Sequence, residues 1–245
     1  MPRLEVRSLT AGYGQLPVVR DLSLSVASGE VVALLGPNGA GKTTTLRAIV
    51  GEIGRTSGEV TWDGAPYRGP VHRRTKNGLR YISEDRVVLM GLTVAENLRL
   101  SQGDGTLAYE IFPALKNLAK RRVGQLSGGE QQILALGRAL CGDAMLFIAD
   151  EISLGLGPII VTRLLDSVRK AADNGAAVLL VEQHVRNALR IADRAYVLRR
   201  GRVVLEGTAD VVQSRYADIE SAYLAGAEGL DEPGSDQDPV GSLIE

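Results

Sequence analysis

At 245 residues the chain can bury a real core as one large domain or two small lobes. Its 28 basic and 29 acidic side chains leave a net charge of −1, which excludes the broad basic field of a nucleic-acid binder. The single cysteine, Cys141, excludes an internal disulfide and reads as a small buried hydrophobe at the end of a helical stretch. No apolar run approaches the ~20 residues that span a bilayer and the N-terminus lacks a signal-peptide pattern, so the chain is expected to stay in the cytoplasm.

Leu4 to Leu9 and Asp21 to Val26 alternate apolar and polar residues, as half-buried strands of an antiparallel layer do. Between them, in Ala11-Gly-Tyr13-Gly14, Tyr13 is either a turn residue or a flat platform for a ring. Val31 to Leu35 is all apolar and reads as a buried parallel strand. It runs into Gly36-Pro37-Asn38-Gly39-Ala40-Gly41-Lys42-Thr43-Thr44, with a helix expected over Thr44 to Val50. The pattern is G-x-x-x-x-G-K-[ST], a phosphate-binding loop in its proper strand–loop–helix context. Gly36, Gly39 and Gly41 let backbone approach phosphate without an intervening Cβ. Backbone N–H groups from about Gly39 to Thr44, with the helix N-terminus behind them, face the anion. Lys42 supplies charge to the outer phosphates, and the Thr43 hydroxyl is placed to ligate Mg²⁺. A plain glycine-rich turn with a solvated lysine would not require all these residues in register.

Further on, Glu59 to Gly64 reads as an edge strand with a turn, with Trp62 packing, and His72 falls in a solvated basic stretch. Gly78 to Ile82 reads as a second core strand, ending at Ser83-Glu84. Thr93 and Glu96 have capping-box spacing before a helix over Val94 to Leu100, and Pro113 should break the stretch Leu107 to Leu118. Residues from about 92 to 140 thus read as a helical subdomain inserted between two halves of an α/β core. Met145 to Ala149 and Ala176 to Val181 are apolar strands, ending in Asp150-Glu151 and Glu182-Gln183-His184. Helices are expected over Thr162 to Ala172 and Arg186 to Ile191. Arg200-Gly201 signals a hairpin, and the acidic stretch Gly226 to Glu245 is expected to be disordered.

In an open parallel sheet a ligand lies beyond the carboxyl ends of the strands, so Glu84, Asp150-Glu151 and Gln183-His184 should converge on whatever the phosphate loop binds. Asp150 fits the acid that holds Mg²⁺ directly or through water, and Glu151 can orient and polarise an attacking water. Ser127-Gly128-Gly129-Glu130 matches a capping box, yet a helix start does not need two glycines, each ~1 kcal/mol worse than alanine inside a helix. They make sense if a phosphate approaches there, so the segment reads as both a cap and a second anion site.

With Tyr13, Gly36 to Thr43, Leu126-Ser-Gly-Gly-Glu-Gln-Gln132, Phe147-Ile-Ala-Asp-Glu151 and Glu182-Gln183-His184 in this order, the chain resembles an ATP-binding-cassette (ABC) ATPase over residues 4 to 225. The resemblance implies an adenine-stacking Tyr13 and a head-to-tail dimer. Each ATP would lie between the phosphate loop of one subunit and Ser127 to Gly129 of the other. The helical subdomain would couple hydrolysis to membrane-embedded permease subunits. Ser83-Glu-Asp-Arg86, Leu92 to Leu98, Ser153 to Pro158, Val181-Glu-Gln183 and Ala192 to Leu198 are similar to the branched-chain amino acid importer subgroup. That likeness implies a second ABC ATPase subunit or a copy of itself as partner, an extracytoplasmic solute-binding protein acting indirectly, no nucleic acid, and a place on the inner face of the cell membrane. Departures accompany it. Glu84 stands where most cassettes have Gln, as a nucleotide contact and Mg²⁺ ligand, in the subgroup's own pattern. The γ-phosphate switch falls on Gln183, with His184 as a shifted substitute; an amide can donate a hydrogen bond but carries no charge. Ile152 and Gly157 replace the usual Pro and Asp. A low-activity nucleotide-gated subunit and a soluble non-transport cassette are the alternatives.

Overall fold

Alternation near the N-terminus builds a longer sheet than its periodicity shows. In the computed structural model, which describes residues 2–67, 71–82, 88–101, 103, 105–142, 144–182 and 184–216, β1 (Pro2–Tyr13) pairs antiparallel with β2 (Leu16–Ala27). The expected strands were shorter because the register shifts again just beyond them, between Leu9 and Ala11 and between Ala11 and Gly12, and Asp21 on the facing strand stands at φ 52°. Next come β3 (Val31–Leu35), α1 (Lys42–Val50), β4 (Arg55–Trp62), β5 (Ala65–Pro66), α2 (Val71–Lys76) and β6 (Leu79–Ile82). Helices α3 (Val94–Arg99), α4 (Thr106–Ile111), α5 (Ala114–Leu118) and α6 (Gly128–Leu140) follow, then β7 (Leu146–Asp150), α7 (Pro158–Asp173), β8 (Ala177–Val181), α8 (Val185–Ile191), β9 (Arg194–Arg199) and β10 (Arg202–Thr208).

The strands form two sheets. One is antiparallel, in the order β2-β1-β4-β5; the other runs β10-β9-β3-β8-β7-β6, with β10 antiparallel to β9 and the remaining pairs parallel. This is the expected α/β architecture, a parallel sheet with an antiparallel layer on one face. The apolar runs are continuous because both faces are covered. Val32, Leu34, Ile148 and Leu179 point into the core shared with β1, β2 and α1. Ala33, Leu35, Phe147 and Leu180 point into a second core, with α6 and α7. β6, expected as a core strand, is instead the last strand of its sheet, and only Leu79 on it is fully buried. Trp62 packs edge-on against Tyr67 at 4.8 Å between ring centres. His72 is exposed and Cys141 is buried, as their contexts imply.

Helix signals held where a cap or a proline set them, while α7 begins four residues before the expected Thr162 and α2 forms in the stretch read only as basic surface. Thr93 and Glu96 form a reciprocal capping box on α3. Pro113 separates α4 from α5 because it cannot continue the hydrogen-bond ladder. The stretch Gly226 to Glu245 lies outside the described residues.

Asn97 of α3 is fully buried. It accepts from the Leu89 N–H at 2.9 Å and donates to the Leu89 and Thr93 carbonyls, each at 3.0 Å. It thereby pins the loop that presents Leu89 and Met90 to solvent. Asn97→Ala should lower stability by about 1–3 kcal/mol, because it strips partners from backbone groups next to the core. Denaturant melts give the loss and hydrogen exchange its location; a Leu89 amide as protected as in the parent would contradict this role for Asn97.

Candidate functional site

The parallel pairing sets three strand ends side by side. β3 pairs Leu34 with Val181 of β8, and β8 pairs Val181 with Asp150 of β7. The loop leaving β3 therefore opens beside the ends of β8 and β7. Gly36 turns the chain there with φ 144°, and a Cβ on it would stand 2.3 Å from the Leu198 carbonyl oxygen. Only glycine lets the loop pass β9 this closely. Pro37, Asn38 and Gly39 are exposed, whereas Ala40 is buried and accepts from the Gly201 N–H at 2.9 Å. The β9–β10 hairpin thus braces the loop.

Helix α1 begins at Lys42, two residues before the apolar stretch suggested. Gly41 at φ 104° precedes it, and no side chain caps it among the described residues. The N–H groups of Lys42, Thr43 and Thr44 then sit in a first turn that has no intrahelical acceptor, aimed with the helix dipole at the loop's interior. This is a fit for phosphate supplied by the chain's own backbone. The Lys42 side chain is 5% exposed and donates to the carbonyls of Gly36 at 2.9 Å and Pro37 at 3.1 Å. Burial pushes its ammonium down, and the neighbouring Glu151 and Asp150 push it back up. Both carboxylates are thus near enough to act on its charge. Thr43 is half-buried at the same turn. Asp150, 1% exposed, offers the hard oxygens that Mg²⁺ prefers, and with Thr43 makes a donor set that fits this ion.

Glu151 leaves the strand at once. Its φ is 50°, a left-handed conformation few non-glycine residues hold, and its N–H donates to the Val181 carbonyl at 2.9 Å. Tyr13 ends β1, is 49% exposed, and receives a long hydrogen bond of 3.5 Å from Arg47 of α1. It is thus both a residue beside a turn and an open ring next to the phosphate-loop helix. His184 is exposed just before α8 and does not cap it with its side chain. Glu84 and Gln183 lie outside the described residues.

Ser127 caps α6. Its Oγ accepts from the Glu130 N–H at 3.3 Å, and Glu130 accepts the Ser127 N–H at 2.7 Å. That backbone donor holds the Glu130 carboxyl below its ordinary range. The capping-box reading is therefore correct, and the Ser127 hydroxyl as well as its N–H stabilises the Glu130 carboxylate. Gly128 and Gly129 form the first turn, and no described atom lies within 4 Å of where a Cβ on Gly129 would stand. Packing within this chain does not require glycine there; an approach from outside would.

Two residues that carried no assigned role hold this region together. Glu182, 1% exposed, accepts from Ser153, and Gln132 of α6 donates to the Leu154 carbonyl at 2.7 Å. The signal for Glu182 was present: like Asp150, it is a carboxylate directly after a fully apolar strand.

Comparison with known proteins agrees with this geometry. The profile of the ABC transporter family matches residues 19–153. The chain is 38% identical to the high-affinity branched-chain amino acid transport ATP-binding protein BraG of Pseudomonas aeruginosa, over 87% of this chain and 96% of BraG. It is 32% identical to the lipopolysaccharide export system ATP-binding protein LptB of Escherichia coli, over 91% and 98%. A solved structure of the ATP-binding subunit of an ABC transporter superposes with a TM-score of 0.76 at 30% identity, covering 87% of this chain and 93% of that one.

Two substitutions separate the loop's shape from its charge. Lys42→Ala should weaken nucleotide binding by roughly 10- to 100-fold, the loss of one charge-assisted contact. Gly36→Ala should weaken it as well, although Lys42 is retained, because the loop must move off the Leu198 carbonyl. Titration with a fluorescent nucleotide measures both, and parental affinity in Gly36→Ala would show that the close approach to β9 is not needed.

Proposed function

This chain belongs to the ABC transporter ATPase family, and from that premise we propose that it is the ATP-hydrolysing subunit of an importer for branched-chain or other amino acids. The observation that supports the reading most is the presence of two incomplete half-sites in one chain. One is a phosphate loop near Asp150 and Glu151; the other is the outward, glycine-lined start of α6. Each half-site needs a complement that a second cassette, a copy of this chain or a different one, would supply.

In this reading the uncapped turn Lys42 to Thr44 and the loop Gly36 to Gly41 hold the triphosphate, with Tyr13 against the adenine. Thr43 and Asp150, joined by Glu84, would hold Mg²⁺, whose charge offsets that developing on the transferred phosphoryl oxygens. Glu151 orients the attacking water and accepts its proton, while Gln183, or His184 beside it, donates to the γ-phosphate. Ser127, Gly128 and Gly129 present a hydroxyl and N–H groups to the nucleotide of the partner subunit. The helical stretch 92–140 acts as the subdomain that passes the closure to permease subunits, on the inner face of the cell membrane. No helix among the described residues is long and apolar enough to cross a membrane.

The branched-chain substrate class rests on the likeness to BraG and on the subgroup motifs, and the likeness to LptB favours a second reading, an export system. Purifying the chain with its permease from native membranes and measuring amino acid uptake into vesicles decides between them. Glu151→Gln should bind nucleotide as the parent does while turnover falls by about 100-fold or more, the contribution expected of a positioned general base. The same variant should associate on adding ATP, alone or with its cassette partner, as followed by light scattering. Parental turnover would mean that Glu151 does not activate the water, and no association would remove the paired arrangement.

A further inference from the structure

Glu182 is a buried carboxylate with no part in the hydrolytic chemistry. It follows β8 directly and is 1% exposed. Taking such a group out of water is unfavourable unless donors meet it. Both donors come from one residue: the Ser153 N–H reaches Oε1 at 3.1 Å, and the Ser153 hydroxyl donates to Oε2. Burial pushes the Glu182 carboxyl up and the Ser153 donors pull it back down.

Ser153 lies two residues after Glu151. On the other side of Ile152, the Glu151 N–H donates to the Val181 carbonyl at 2.9 Å. Residues 151 and 153 are therefore tied to consecutive positions, 181 and 182, at the end of one strand. Between the two ties Ile152 is buried, at 2% exposure. Glu151 itself is held at φ 50°. A non-glycine residue stays in that region when its surroundings over-determine it, and these ties do so.

We propose that Glu182 is a positioning residue for Glu151, fixing the turn that aims the Glu151 carboxylate at the attacking water. The inference rests on the reading of Glu151 as the group that activates that water. Glu182 touches neither nucleotide nor water; it acts through Ser153 and the backbone of residues 151–153. Losing the tie lets Glu151 leave its turn, and a displacement of about 1 Å at a reacting group can lower a rate by about 100-fold. The phosphate loop is braced separately, by the β9–β10 hairpin, so nucleotide affinity should not follow.

The experiment compares Glu182→Ala, Glu182→Gln, Ser153→Ala, the double variant Glu182→Ala/Ser153→Ala and Glu151→Gln in the full chain, by steady-state ATPase kinetics, nucleotide titration and thermal unfolding. Glu182→Ala should lower kcat by about 10- to 100-fold with KM and nucleotide Kd unchanged. Glu182→Gln should restore most of kcat, since an amide oxygen still accepts the Ser153 N–H and the amide N–H can donate to its hydroxyl oxygen. Ser153→Ala should lower kcat less than Glu182→Ala, and adding it to Glu182→Ala should change nothing further, because both break the same contact. Should Glu182→Ala fail to fold, Ser153→Ala keeps the test: parental kcat there overturns the proposal. So does parental kcat in Glu182→Ala, a fall in kcat matched by an equal fall in affinity, or a Gln variant no better than Ala. Parental turnover in Glu151→Gln overturns the assignment of the base itself. A silent Glu151→Gln beside a parental Glu182→Ala overturns only the positioning role.

Discussion

The parallel ladder joining β3, β8 and β7 is the constraint on which the rest of this molecule depends. Its register pairs Val31 with Val178 and Ala177 with Leu146, and carries the three strands to a common edge. The phosphate loop and two buried carboxylates hang from that edge: Gly36 after β3, Glu182 after β8 and Asp150 at the end of β7. Side chains alternate faces along each strand, so a slip of one residue would turn Ala33 and Phe147 into the wrong core and move the carboxylates off the edge. The antiparallel layer and the helices bury the two faces of this ladder and so hold the register.

Around the edge, backbone is bent into conformations that only close neighbours maintain. The phosphate loop passes under the Leu198 carbonyl and is braced from Gly201. Glu151 sits at positive φ between anchors on β8. Such strain at a site with perturbed charges is a common mark of function. Lys42 shows the same economy: its charge is kept between backbone carbonyls and nearby carboxylates in a place that water scarcely reaches.

The start of α6 makes a second point about ABC cassettes as physical objects. The capping box satisfies the helix within the chain, yet the first-turn glycine has empty space where a side chain would go. Contacts within the chain account for the serine and the glutamate, whereas nothing packed within 4 Å accounts for glycine at position 129. Gln132, one turn on, donates to the loop after Glu151. The start of α6 and the turn after β7 thus share a framework.

Legibility in the sequence followed range of interaction. The phosphate loop, the capping boxes at Thr93 and Ser127, the break at Pro113 and the turn at Arg200-Gly201 were all readable, because each is decided by residues within a few positions of one another. So were the buried strands, whose unbroken apolar runs announce two covered faces. The full lengths of β1 and β2 were not, since register shifts beyond Leu9 and the positive φ of Asp21 break the alternation there. Neither was the edge position of β6, because its short apolar run does not say which strands flank it. The roles of Glu182 and Gln132 were hidden for the same reason: Ser153 is 29 residues from Glu182, and Leu154 is 22 from Gln132. By itself the sequence determined the chemistry, namely which residue types stand at a strand end, a loop or a helix start. The tertiary structure alone decided which of those ends are neighbours, because strand order and register are set by burial of both sheet faces, a property of the whole chain.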